Sequence, residues 1–141
     1  MKKVVLLLLV LVLFSCSSNV KNTGTKPLFE VLTQQPDGGA NIRFFEILSE
    51  SNEIAMLQND EKLKNKIHPN DVQTSNFVVL NMGEKTTAGY KINVESVTET
   101  DKNIIITVKE TVPEPNAVVS QVITYPYCIV KINSKKEIII K

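Results

Sequence analysis

The sequence predicts a mainly β protein, an antiparallel β-sandwich (Ig-like or a small barrel) with one helix in its N-terminal half. Three observations carry that expectation. Tyr90, Ile92 and Val94 alternate with Lys91, Asn93 and Glu95, and Ile104, Ile106 and Val108 alternate with Ile105, Thr107 and Lys109. Period-two alternation of this kind lines one face of a strand. Short apolar runs recur along the chain with turn-forming segments between them, the spacing of antiparallel sandwiches. Helix signals gather in one place, residues 51–66, and Pro69 stops any continuation.

Taken in order, the chain opens on Lys2 and Lys3, an unbroken apolar run over 4–14, Ser15 and Cys16. That is the n-, h- and c-region layout of an exported leader. Eleven helical residues at ~1.5 Å each reach about 16 Å, short of a ~30 Å hydrocarbon core, so the run is a leader and not a span. A cysteine directly behind the small residue is similar to a bacterial lipobox. On that reading residues 1–15 are a lipoprotein signal peptide and Cys16 is the lipidated N-terminus of the mature chain. The plainer reading is a cleaved secretory signal with an incidental cysteine. Residues 16–27, rich in Ser, Asn, Thr and Lys, form a flexible tether. The expected location is the cell envelope, lipid-anchored, at the outer membrane on its periplasmic or surface side.

Residues 28–141 are expected to form a single β-rich domain. Phe29, Val31 and Leu32 start a strand, residues 34–39 (Gln-Gln-Pro-Asp-Gly-Gly) make a turn, and 42–48 resume a strand, so the pair reads as a hairpin. In the helix, Ser51 is the expected cap, Glu53 sits in the first turn, and Lys62, Lys64 and Lys66 crowd the far end. Residues 77–80 are a buried strand. Residues 118–133 read as one long strand in which Pro126, lacking an N–H, implies an edge position or a bulge, and 137–140 is a last short strand. In an up-and-down order the connections 83–89 and 112–117 fall at one end of the sheet. Residues 101–103 and 133–135 then fall at the other.

Composition narrows the function classes. The chain has 141 residues, 16 basic and 15 acidic, two of the basic ones in the leader. It offers no basic patch for nucleic acid. Cys128 is the one thiol left once Cys16 is lipidated, so the domain holds together without an internal disulfide; its apolar neighbours mark a buried, inert side chain. His68 is the single histidine, in a loop beside Pro69. No nucleophile–base arrangement, metal-ligand spacing or phosphate-binding loop is visible, so no catalytic residue, cofactor or metal is called for.

Residues 78–90 (VVLNMGEKTTAGY), 108–127 (VKETVPEPNAVVSQVITYPY) and 129–132 (IVKI) resemble the C-terminal domain of PrcB-type protease-complex subunits. The likeness extends over 76–141, with Ala88 standing where the family usually has the first of two glycines. It implies a noncatalytic lipoprotein that binds an envelope or secreted peptidase as an accessory subunit, and stabilises or regulates it. Residues 86–90 are also similar, more loosely, to the Thr-Thr-Gly-aromatic loop of chagasin-type inhibitors of cysteine peptidases, without that motif's preceding Asn-Pro. Partner binding therefore centres on Thr86, Thr87, Ala88, Gly89 and Tyr90, with Pro113, Pro115 and Asn116 from the facing loop, since recognition residues of a rigid sandwich sit on its end loops. Tyr90 shares its parity with Ile92 and Val94, so it is either a core residue or an interface anchor. The bland alternative for the loop is a connection that binds nothing. For the whole chain the alternatives are a peptidase inhibitor acting through residues 83–90, a structural envelope lipoprotein, or a small-ligand carrier.

Overall fold

The computed structural model describes residues 25–141. The leader, Cys16 and most of the tether lie outside the described residues. Strands β1 (Phe29–Gln35), β2 (Arg43–Leu48), β3 (Asn76–Met82) and β6 (Tyr127–Ile132) form one sheet in the order β1-β6-β3-β2, antiparallel throughout. Strands β4 (Lys91–Glu99), β5 (Asn103–Thr111) and β7 (Glu137–Ile140) form a second sheet, β4-β5-β7. There β4 and β5 are antiparallel, but β7 runs parallel to β5, against the all-antiparallel expectation. The sheets form a sandwich and do not close into a barrel.

Val78, Leu80 and Met82 of β3 and Cys128, Val130 and Ile132 of β6 pack against Ile92, Val94, Ile104, Ile106 and Ile138 of the second sheet. The alternation read from the sequence is what fills this core. The opposite face of the first sheet is covered as well. Helix α1 (Ser51–Gln58) and the turns after it bring Ile54, Leu63 and Ile67 onto Leu32, Leu48, Phe77 and Ile129. The first sheet is thus the middle of three layers. Its central strands β3 and β6 are buried on both faces, so their sequences run nearly apolar without alternating.

The helix is shorter than 51–66. Its N-cap is Glu50, not Ser51, and the Glu53 carboxylate accepts the backbone N–H groups of Ser49 and Glu50, each at 3.0 Å. Asp60 takes the Lys62 N–H at 2.7 Å and starts a new turn, and Leu63 and Ile67 beyond it are buried. A second short helix, α2 (Asp71–Thr74), follows Pro69.

The expected hairpin over 28–48 does not form. β1 pairs with β6 and β2 with β3, so the two lie at opposite edges of the sheet, and residues 36–42 cross the ends of β6 and β3. Three contacts hold the crossing. Gly39 N–H donates to the Tyr125 carbonyl at 2.8 Å, Tyr125 N–H donates to the Asp37 carboxylate at 3.0 Å, and the Asn81 side chain bonds Ala40 and Ile42. Gly38 has a left-handed φ of 99°, as a turn glycine should; Gly39 is needed instead for close approach, because a Cβ there would overlap Asn81 Oδ1.

The long strand expected over 118–133 begins only at Tyr127. Pro126 stands just ahead of β6, which is a central strand and not an edge, and its carbonyl accepts the Met82 N–H at 2.9 Å. A proline in that position costs the ladder nothing.

Candidate functional site

Residues 83–90 leave the middle sheet through Gly83, whose φ of 75° and proximity to Arg43 leave no room for a side chain. The loop then lies along the extended connection that leads into β6. Lys85 and Thr124 exchange both backbone hydrogen bonds at 2.9 Å, and Ala88 N–H donates to the Ser120 carbonyl at 2.9 Å. The Thr124 hydroxyl donates to the Thr87 carbonyl at 3.0 Å, and the Thr87 hydroxyl to the Ala88 carbonyl at 3.0 Å. Gly89 has a φ of 97°, and a Cβ on it would come 2.9 Å from Pro113 Cγ.

The two loops expected at one end therefore do meet. At the other end Lys136 bonds Thr100 and Glu99, and Asn103 bonds Glu137, although the strands do not follow the expected up-and-down order. Of the expected partner-binding residues, Thr86 and Gly89 are exposed, while Thr87, Ala88 and Tyr90 are half-buried. Tyr90 packs on the inter-sheet core under Lys85, whose Nζ lies 5.5 Å from the ring centroid. Pro113 meets Gly89. Pro115 and Asn116 occupy the next turn, closed by Ala117 N–H to the Glu114 carbonyl at 2.9 Å, and are exposed.

The residues that the sequence reading missed are apolar. Val112, Val118, Val122 and Ile123 are exposed at 62, 104, 51 and 57%, on the connection clamped to residues 85–88. Ile42, beside Gly83, is 68% exposed. These apolar side chains are displayed on a hydrogen-bonded frame. Pro113, Pro115 and Pro126 bracketing the segment were the available signal that it is not a strand. Charged and phenolic groups rim the same end. Arg43 pairs with Glu110 at 3.0 Å and stacks on Phe45, and the Tyr125 hydroxyl donates to Glu84 at 3.1 Å. That bond to a carboxylate holds the phenol above its ordinary value.

His68 is exposed in its loop. Among the described residues no group of three or more His, Cys, Asp or Glu could hold a metal, and no helix is long and apolar enough to cross a membrane. Cys128 is fully buried, and burial pushes its thiol up to about 12. In the native protein it is expected to resist Ellman's reagent at pH 8 over hours and to react only on unfolding in denaturant, which absorbance at the thiolate product band would follow.

Residues 76–133, from β3 through β6, match the family described as PrcB C-terminal. An uncharacterized protein of Methanocaldococcus jannaschii, MJ1373, is 39% identical over 57 residues, covering 40% of this chain and 34% of its own length. The chain therefore spans about a third of that relative. No solved structure gives a significant match. The matched family segment holds both central strands and both loops of the clamped end, so the likeness to the PrcB C-terminal family runs from β3 to β6.

Proposed function

We propose that the chain is a noncatalytic lipoprotein, anchored in the cell envelope through Cys16, that binds an envelope or secreted peptidase as an accessory subunit and stabilises or regulates it. The observation that carries this reading is a set of exposed apolar side chains, Val112, Val118, Val122 and Ile123, on a backbone-clamped end, inside the segment that matches PrcB C-terminal. Membership of a protease complex comes from the family resemblance; the surface supplies the means. A pre-formed frame loses little entropy when a partner docks, so most contact energy goes to affinity.

A peptidase inhibitor working through residues 83–90 is the second reading, favoured by the exposed, conformationally fixed Gly89. The internal bonding of Thr87 and the half-burial of Ala88 weigh toward the exposed side chains of 118–123 as the main contact.

The test is a crosslinked pull-down from the native envelope with the full chain and with Val122→Asp/Ile123→Asp. The native chain is expected to recover a peptidase and the variant to lose at least about tenfold of it, the loss of two central apolar contacts. Activity of the recovered complex separates subunit from inhibitor. Recovery of the same non-peptidase proteins by both chains, or of none, overturns the reading.

A further inference from the structure

Each outer strand of a sheet presents unpaired backbone groups, and the edges of this fold are not all protected alike. β1 carries a bulge between Val31 and Thr33, and Lys66 Nζ donates to the Leu32 carbonyl. β4 carries a bulge between Val94 and Ser96; Gln34 donates to the Ile92 carbonyl at 3.1 Å, and Asn93 takes the Val94 N–H at 2.8 Å. Bulges and side-chain caps of this kind prevent another strand from pairing. β7 has neither. Among the described residues it pairs with β5 alone. Beside it lies an open crevice of about 650 Å³ lined by Ile47, Ser49, Asn76, Lys135 and Ile138.

The direction of the free groups follows from the ladder. Lys141 N–H donates to the Ile106 carbonyl at 2.8 Å, and Lys141 C=O accepts from Val108 N–H at 3.0 Å, so Lys141 faces β5 with both groups. Alternate residues face alternate sides, so Ile138 and Ile140 turn their N–H and C=O toward the open edge. The sequence of the strand with the residue after it, Glu137-Ile138-Ile139-Ile140-Lys141, is charge-complementary to itself when reversed about Ile139.

We infer that β7 is a self-recognition edge and that two copies of this chain join there, antiparallel about Ile139, into one continuous six-stranded sheet. Ile138 and Ile140 of one copy exchange backbone hydrogen bonds with Ile140 and Ile138 of the other. The two Ile139 side chains, each 40% exposed, then face one another as a non-hydrogen-bonded pair, the closer-packed arrangement. Glu137 of each copy lies opposite Lys141 of the other, on the same face. A twofold axis through the sheet pairs only residues whose numbers differ by an even count, so Arg43 and Glu46 on the remaining edge, β2, cannot meet in this way. That edge has no such centre. β7 covers β5 from Asn103 to Ile106, away from the 83–90 loop, so the pairing leaves the clamped end free.

The test is sedimentation of the full chain in mild detergent across a concentration series, with Glu137→Lys, Lys141→Glu and the double swap. The native chain is expected to dimerise. Each single swap sets like charges opposite each other at two symmetric places and weakens association about tenfold, and the double swap restores it. Amide exchange supplies the second readout: Ile138 and Ile140 N–H are protected in the native dimer and exchange freely in either single swap. A native chain that stays monomeric, or a dimer indifferent to the swaps with these two amides exchanging freely, overturns the inference.

Discussion

Lys131→Met is expected to cost about 3–5 kcal/mol of stability, a large share of the ~5–15 kcal/mol that holds an ordinary domain together. Lys131 is on β6, on the helix-covered side of the middle sheet, and its Nζ lies 2.7 Å from Asp71 Oδ1 with both side chains about 95% buried. The other carboxylate oxygen accepts the His68 N–H at 2.8 Å. Removing the ammonium leaves a carboxylate buried with a single donor. Replacing both partners, Lys131→Met/Asp71→Leu, removes the orphaned charge and is expected to recover most of the loss. Urea denaturation of the three proteins measures this.

The same pair sets a pH dependence. Burial by itself raises the Asp71 carboxyl, but the hydrogen bonds from Lys131 and His68 and the Lys131 charge outweigh it and hold the group below its ordinary value of 3.8. A depressed folded value stabilises the native chain above the unfolded value, and that contribution is lost as pH falls through the folded one. Native stability should therefore drop on acidification below roughly pH 4. In Lys131→Met the unpaired carboxylate is easier to protonate than in the unfolded chain, so the gap between variant and native narrows over the same acid range. A gap that stays constant from neutral pH into acid would assign the Lys131 effect to packing alone.

Asn81→Ala is expected to cost about 3 kcal/mol, from three hydrogen bonds at about 1 kcal/mol each. Asn81 is 1% exposed; its Oδ1 accepts the Ala40 N–H at 3.0 Å, and its Nδ2 donates to the carbonyls of Ala40 and Ile42. It is the pin on the crossing that carries the chain from one edge of the middle sheet to the other. Asn81→Asp should be at least as damaging, because a carboxylate would face two carbonyls where an amide donates. Gly39→Ala attacks the same joint from the other side, with a Cβ 2.8 Å from the Tyr125 carbonyl. Since these two changes share one contact, their costs should fall short of additive in the double variant. Full additivity would show that the crossing is held elsewhere.

What the sequence made legible was the filling of the faces. Ile92 and Val94, or Ile104 and Ile106, announce a buried side by parity alone, and strand order was enough to bring 83–89 against 112–117. What parity does not carry is the identity of a neighbour. Phe29–Gln35 and Arg43–Leu48 look like a hairpin because a turn lies between them, yet each side's hydrogen bonds go to strands far away in sequence. The unalternating runs of β3 and β6 did hint at cover on both faces, but beside Ile54 of the helix that cover comes from Leu63 and Ile67 in turns beyond the helix's end, where helical spacing does not place them. At the candidate site the loop glycine and its proline neighbour were readable. Val118, Val122 and Ile123 were not, because an apolar segment reads as a strand until backbone bonds to Lys85 and Ala88 show that it is clamped along one side with its side chains in water.

The pairing of Phe29 with Ile132 closes a loop of about 100 residues, and such long closures slow folding. Synthesis produces β1 first and its neighbour almost last. Until residue 127 has been made, β1 has nothing to bond and β3 lacks one of its two neighbours. A chain interrupted upstream of β6 is therefore not a smaller version of this protein. It is a set of apolar strands with open edges, the kind of species that associates indiscriminately or is degraded. Completion of one central strand converts every earlier element from a liability into part of a fold.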